Sequence, residues 1–335
     1  MPAHDRAQIS DVTVVVVNWR QAELTARALT SLRSQTISHR VLLVDNASGD
    51  GSVDSLAAGF PEVEVLELPE NVGFAGGMAA ALARVDTRFV ALLNNDAVAE
   101  PGWLEHSLAA LEDPTVAAAS AKLLLDDGAP ERRINNAGVV LLETGYGADR
   151  GLGEPDDERF AAPVEVFGFS GGAAVLRTLA VKAVGGFDPS LFMYYEDTDL
   201  SWRLRLAGWR IVYVPQAVVH HRHAASSDQR SRMFAFHTER NRLLLLARHA
   251  PLPYAVGAGA RFLLTTASLA AKRVAGVDVP DEQVFDPRLR LQVTAAVARR
   301  LPGTLAARRR AADRAERGGV HRRWRGRDHE PALGA

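Results

Sequence analysis

VTVVVVNWR, residues 12–20, decides how the rest of the chain is read. Val12–Val17 are all β-branched, and Asp11 and Asn18 bound the run. A strand covered by helices on both faces shows no polar alternation, so this run reads as a buried parallel strand. VLLV at Val41–Val44 and FVALL at Phe89–Leu93 are two more. Between the first two, Leu24, Ala28 and Leu32 recur every four residues, which places an apolar stripe on a helix and predicts a βαβ unit. VEVLEL (Val63–Leu68) alternates as another strand, followed by a Gly-containing turn and a helix over about 76–83. Pro101 opens a helix carrying Trp103, Leu104, Leu108 and Leu111, with a strand near 116–121. The first 120 residues therefore read as a doubly wound α/β unit.

Composition narrows the function. The 335 residues are 47% hydrophobic and 24% charged, which fits a folded globular chain and excludes disorder or a collagen-like architecture. Lys and Arg number 39 against 40 Asp and Glu, so no global field recruits nucleic acid. With no cysteine there is no disulfide framework, thiolate nucleophile or Cys-ligated metal, and any metal must sit on His and carboxylates. The apolar run at Val12 is too short and lacks the positive flank of a signal peptide, so a cytoplasmic protein is expected.

The stretch 126–163, rich in Gly, Asp, Glu and Asn, predicts long surface loops over a site. Residues 251–260 and 262–271 are uncharged, but Arg261 and Lys272–Arg273 interrupt them short of a membrane span. Such a segment packs on the protein's own core or lies on a bilayer surface with Leu263, Leu264, Leu269 and Ala270 in its apolar face. From Arg299 to Ala335, eleven arginines face four acids. That basic patch reads as a solvated, partly disordered tail or as an arm for anionic lipid headgroups. The expected division is a catalytic domain over 1–245 and a helical extension over 246–335.

Ligands of α/β sheets bind outside the carboxyl ends of the strands, so the polar residues after each apolar run carry the chemistry. These are Asn18-Trp19-Arg20, Asp45-Asn46-Ala47-Ser48-Gly49-Asp50-Gly51 and Asn94-Asn95-Asp96, and all three sets converge on one crevice. Neither G-x-G-x-x-G nor G-x-x-x-x-G-K-[ST] is present at the first turn, which argues against a classical NAD site and a P-loop. Asp45 can accept from a base N–H or ribose hydroxyl, or simply close an Asx turn. Asn71 with Gly73 and Gly76 forms a helix entry where backbone approaches a phosphate or ribose, or merely a Gly-rich turn. Asp96 suits a hard cation beside a diphosphate, or caps the next segment. Glu196, Asp197 and Asp199 crowd three carboxylates beside Tyr194, Tyr195 and Trp202 at the start of an amphipathic helix. They serve the helix dipole, or burial raises one toward a general base. His220-His221-Arg222-His223 after Ile211–Val214 suggests a metal ligand or a solvated loop.

Six ordered blocks, VVVVNWR, VDNASGDGS, ENVGFAGG, LLNNDA, FGFSGGAAVLR followed by GGFDPSLFMYYEDTDLSWRLRLAGW, and VVHHRHAAS, together resemble the family 2 glycosyltransferases, especially the rhamnosyltransferase-like branch of bacterial cell-surface polysaccharide synthesis. The resemblance runs from Val12 to Ser227. It implies an α/β GT-A fold, a Rossmann-like, mostly parallel central sheet flanked by helices, with the C-terminal helical extension appended. It implies a nucleotide-sugar site at Asn18, Asp45, Asn71, Gly73, Gly76, Asn94, Asn95 and Asp96. Asn94-Asn95-Asp96 stands where the family has its D-x-D motif, with Asn at the first position, so Asp96 carries the carboxylate charge. Asp96 and His221 would hold Mg2+ or Mn2+, with His220 the alternative by one register step. Asp197 matches the catalytic base, and Gly171, Gly172 and Glu196 fall on the acceptor side. The implied reaction is inverting transfer from a dTDP- or UDP-linked sugar to a glycan or polyprenyl-linked glycan, L-rhamnose first, with galactofuranosyl or N-acetylglucosaminyl transfer next. A degenerate sugar-nucleotide-binding module would not need the Asp96, Asp197 and His221 set. A nucleotidyltransferase would want a basic Gly-rich loop that Asn18-Trp19-Arg20 does not supply.

Overall fold

The three continuous buried runs lie side by side in the middle of one sheet. In the computed structural model, which describes residues 10–222, 230–311, 314–328 and 330–331, β1 (Val12–Asn18) pairs with β2 (Arg40–Asp45) on one side and β4 (Phe89–Leu93) on the other. α1 (Ala22–Leu32) crosses from β1 to β2, α2 (Ser52–Gly59) leads to β3 (Glu64–Glu67), and α3 (Gly73–Arg84) leads to β4. Every residue of β1 is buried, because alternate side chains enter cores on opposite faces. Val15 and Val17 pack with Met78 of α3, while Val12, Val14 and Val16 pack with Ala28 and Leu29 of α1.

The chain continues through β5 (Ala97–Ala99), α4 (Trp103–Ala110), β6 (Val116–Leu125), β7 (Ile134–Asn136), β8 (Val139–Leu141), β9 (Gly147–Asp149), β10 (Val164–Glu165) and β11 (Ala173–Arg177). α5 (Thr178–Ala183), α6 (Glu196–Leu206) and β12 (Arg210–His221) complete the sheet region. The strand order is β13-β10-β12-β6-β11-β4-β1-β2-β3, where β13 is Glu330–Pro331. β11 runs against both β4 and β6, and β6 is parallel to β12. So β3, β2, β1, β4, β6 and β12 all point one way, and the fold is α/β with a mostly parallel central sheet. The carboxyl ends of β1, β2, β4 and β12 therefore meet at one edge, where β11 begins.

β12 reaches that edge through a bulge. Val214 pairs with Ala121 and Val218 with Lys122, so Pro215, Gln216 and Ala217 are extra residues with no place in the ladder. A proline lacks the ladder N–H, so it fits where pairing is interrupted. Beyond the bulge, β12 also pairs with β5, setting His221 opposite Ala97.

Two expectations are corrected. The stretch 126–163 is not loop alone: β7, β8 and β9 and a turn of 3-10 helix at Glu158–Phe160 lie in it, with Ile134, Ala137 and Phe160 in the main core. Its strands are three residues long, too short to print a period. The basic tail is, over its described residues, ordered helix and strand. After α7 (Arg232–His249) and α8 (Leu252–Val274) come α9 (Pro287–Ala311) and α10 (Arg314–Trp324), and β13 pairs with β10. Trp324 is buried beside Phe167, with the Arg205 guanidinium 4.3 Å from its ring. The division expected at 245/246 falls inside α7.

α6 is likewise not amphipathic but buried on nearly every side. Most of its charges are matched, within the helix and by groups from other elements. Asp199, with no exposed surface, accepts from Arg203 at 2.6 Å and from His249 of α7 at 2.7 Å, while Arg205 pairs with Glu165. Burial alone would raise the Asp199 carboxyl, but Arg203, His249 and Arg248 outweigh it and hold the carboxyl well below its usual range. Asp199→Asn leaves the Arg203 and Arg248 guanidiniums facing a neutral amide, and unfolding in urea at neutral pH is expected to show a loss of about 3–5 kcal/mol. Because the folded carboxyl titrates low, the wild type's margin over this variant is complete above about pH 4 and shrinks as pH falls further.

Candidate active site

The carboxyl edge of the sheet is organised by a chain of buried polar groups. Asn18, fully buried at the end of β1, donates through Nδ2 to Asp45 Oδ1 at 2.9 Å and to Ser48 Oγ at 3.2 Å. Its Oδ1 accepts from Thr25 of α1 at 2.8 Å, and Thr25 Oγ1 accepts from Asn95 at 3.3 Å. Asp45 also accepts the Ser48 N–H at 3.0 Å, which closes the Asx turn that its sequence position allows. One turn further, Asn46 donates to Asn71 Oδ1 at 3.1 Å, and Asn71 accepts the Gly73 N–H at 2.9 Å. Asn18, Asp45, Asn71 and Asn95 thus tie strand ends and turns to one another. Gly73, at φ +72°, has a specific steric reason to be glycine: a Cβ would stand 2.1 Å from the Phe192 carbonyl oxygen. At Gly76 a Cβ would meet the Val72 side chain at 2.6 Å.

Beside this scaffold opens a cleft of about 970 Å³. Asn94, Asp96 and His221 line it together with Tyr194, Tyr195, Glu196, Asp197 and Thr198. Strand alternation separates the two neighbouring histidines: His221 Nε2 lies 3.0 Å from Asp96 Oδ1, whereas His220 Nε2 lies 2.9 Å from Glu100. His223 and Ser226 are outside the described residues. His221 Nδ1 is 2.8 Å from Asn135 Oδ1, and in the tautomer that donates there the Nε2 lone pair faces Asp96. Asn94 Nδ2, 3.4 Å away, is a donor toward that same lone pair. A carboxylate oxygen and an imidazole lone pair facing each other across this gap suit a shared cation. Among the described residues no group of three His, Cys, Asp or Glu side chains assembles. A hard divalent ion here would therefore draw its remaining ligands from bound diphosphate and water, as Mg2+ and Mn2+ do.

The same cleft is lined by two adjacent carboxylates in different surroundings. Glu196 is buried, its Oε2 has no hydrogen-bond partner, and burial together with the neighbouring Asp197 pushes it up to about 8. Asp197 is half-buried and surrounded by donors: Gly171 N–H at 2.9 Å on Oδ2, and Thr198 N–H at 2.5 Å and Oγ1 at 3.1 Å on Oδ1. Burial still raises it, but the N–H donors favour its anion. Gly171 and Gly172 touch both sets of residues: Gly171 donates to Asp197, and the Gly172 carbonyl accepts the Asn94 N–H at 2.9 Å.

Several site residues gave no signal in the sequence. Thr25 is one small residue in an apolar helix face, and Asn135 lies in a stretch read as loop. The cleft also holds Tyr146 and Glu239, joined by a hydrogen bond, with Arg242 donating to Glu239 at 2.7 Å and lying over the Tyr146 ring at 4.2 Å. Burial and Glu239 push the Tyr146 hydroxyl up to about 12.

The comparisons fit this architecture. The chain is 33% identical over 215 residues, 64% of its length, to pre-mycofactocin glycosyltransferase of Mycobacterium tuberculosis, and spans 43% of that relative. It is 31% identical over 260 residues to N-acetylglucosaminyl-diphospho-decaprenol L-rhamnosyltransferase of the same species, covering 71% of this chain and 84% of the relative. Among solved structures, the mannosyltransferase PcManGT from Pyrobaculum calidifontis, in complex with GDP-Man and Mn2+, superposes with a TM-score of 0.52 at 19% identity, covering 96% of this chain and 88% of that one. GalNAc-T7 with UDP, GalNAc and Mn2+ gives a TM-score of 0.59 at 13% identity, covering 90% and 57%. At such identities these likenesses establish the GT-A fold alone. The profile described as "Glycosyltransferase like family 2" matches residues 10–235, and on that match the chain belongs to the family 2 glycosyltransferases.

Proposed function

We propose that this glycosyltransferase moves a sugar, L-rhamnose first, from a nucleotide-diphosphate donor to a hydroxyl of a glycan or polyprenyl-linked glycan in cell-envelope polysaccharide synthesis, with inversion. The observation that carries the reading is one cleft lined by both the Asp96–His221 pair and the Glu196–Asp197 pair. The name of the rhamnosyltransferase relative, which the chain covers over 84% of its length, supports the sugar and the decaprenyl-linked acceptor. A dTDP-sugar is the first donor and a UDP-sugar, galactofuranose or N-acetylglucosamine, the second.

The chemistry follows from the surroundings of each group. Glu196, lifted to about 8, is protonated at neutral pH, so the pair carries one negative charge and the N–H donors around Asp197 locate it there. Asp197 then takes the proton of the acceptor hydroxyl as its oxygen attacks the anomeric carbon from the side opposite the diphosphate. Asp96 and His221 would hold a divalent cation, Mg2+ or Mn2+, which would supply positive charge beside the departing diphosphate. Asn94 and the Gly172 carbonyl it bonds keep that pair in register with Asp197.

Among the described residues no helix is long and apolar enough to cross a membrane. α8 nevertheless exposes Leu252, Val256, Leu263, Leu264 and Val274 along one stripe, with Arg261, Lys272 and Arg273 beside it, which supports peripheral contact with an anionic bilayer carrying the acceptor.

Four outcomes test this reading. Asp197→Asn is expected to lower kcat by about 10²–10⁴-fold while nucleotide affinity measured by calorimetry holds, and loss of binding in this variant removes the assignment. In wild type, kcat should climb with pH above the ordinary carboxylate range near 4, since burial raises both members of the pair and the base works deprotonated. Calorimetry with dTDP and UDP, each with and without Mn2+ or Mg2+, should show cation-dependent binding of one nucleotide that Asp96→Ala abolishes; no binding of either points to a degenerate module. In flotation with anionic liposomes, the full chain should rise with the vesicles and a Leu263→Gln, Leu264→Gln double variant should not, whereas equal flotation refutes the membrane contact.

A further inference from the structure

The segment that delivers Glu196 and Asp197 into the cleft is backbone-strained. Phe192, Tyr194 and Tyr195 have φ of 66°, 64° and 71°, a left-handed conformation that L side chains rarely adopt. Such geometry persists only where the surroundings over-determine it. On one side the surroundings are the donor-side turn: the Ala75 N–H donates to the Phe192 carbonyl at 3.0 Å, and Gly73 leaves no room there for a side chain.

On the other side they are a single stripe of α7. Phe234 meets Tyr194 edge-on at 4.9 Å, His237 stacks on Phe192 at 5.2 Å, and Asn241 follows one turn later. Asn241 has no exposed surface. Its Nδ2 lies within hydrogen-bond reach of three carbonyls, those of Tyr194 at 2.7 Å, Met193 at 3.0 Å and Leu191 at 3.1 Å, so that one of its two N–H groups is shared between two of them. Arg240 donates through Nε to Asn241 Oδ1 at 2.8 Å and through Nη2 to the Leu191 carbonyl at 2.6 Å. The guanidinium fixes which way the amide faces: with Oδ1 held by Arg240, the two N–H bonds point at the carbonyls.

We infer that Asn241 is a positioning residue for sugar transfer. By gathering three carbonyls of the strained segment onto one amide, it holds Asp197 at the height in the cleft that attack on the donor requires. Asn241 does not line the cleft and touches no reacting atom. It also lies beyond residue 235, where the family profile stops matching. A misplacement of about 1 Å at a catalytic group can cost about 10²-fold in rate, so a splint of this kind acts on kcat rather than on donor binding. The inference rests on Asp197 as the base, and its test includes a readout that does not depend on catalysis.

That test compares wild type with Asn241→Leu and with Asn241→Asp, the latter matching the amide in shape but turning a donor toward carbonyls into an acceptor. Amide hydrogen exchange read by mass spectrometry should accelerate at least tenfold in peptides covering 189–200 and stay unchanged across β1, β2 and β4. kcat should fall by about 10²-fold while nucleotide diphosphate affinity stays within threefold of wild type. Unchanged exchange in 189–200 overturns the proposal. So does a general rise in exchange with lost nucleotide affinity, which marks Asn241 as part of the fold's stability only. Should wild type bind nucleotide yet transfer no sugar, the base reading fails, and the exchange result alone still decides whether Asn241 holds the segment.

Discussion

The buried amide of Asn18 is the constraint on which the carboxyl edge of the sheet depends. In a sheet covered on both faces, the ends of the central strands are the first places where polar side chains emerge, and they emerge without water. An amide offers two donors and an acceptor, enough to satisfy a carboxylate on β2 and a hydroxyl on α1 at once. Thr25 passes the connection on to Asn95 beyond β4. Three strand ends are thereby fixed relative to one another by groups that each have a partner, the condition under which a buried polar network rigidifies rather than weakens a core. Asp96, directly after Asn95, inherits its placement from this arrangement.

Three carboxylates within four residues at the start of α6 would repel one another if all were equally ionised. The fold gives each a different environment. Asp199 is surrounded by arginines and His249 and stays charged, Glu196 has an oxygen with no partner and is driven toward neutrality, and Asp197 sits among N–H donors between these extremes. A crowded acidic stretch thus becomes a graded series, and only the middle member combines access to the cleft with stabilisation of its anion.

The strands whose two faces are both buried were legible because the continuous β-branched or apolar runs at 12–17, 41–44 and 89–93 can be little else, and the polar residues after them mark the carboxyl edge of the sheet. β11 was not, since AAVLR carries no mark of running against its neighbours. α6 misled because its charges look solvent-facing until their partners, Glu165 and His249, arrive from distant elements. Asn135 and Asn241 were invisible for a related reason: each does its work through a hydrogen bond to a group far along the chain, and a single polar residue has no period. The basic tail looked solvated because Trp324 and β13, which anchor its end, are one residue and two residues long.

The bulge at Pro215–Ala217 gives the site an arithmetic character. Before it, β12 obeys one register on β6; after it, the strand rejoins β6 three residues out of step and also pairs with β5. Which imidazole meets Asp96 is thus settled by the number of residues between Val214 and Val218 more than by which residues they are. Substitution within the bulge leaves that count intact, whereas loss or gain of one residue exchanges His221 for a neighbour.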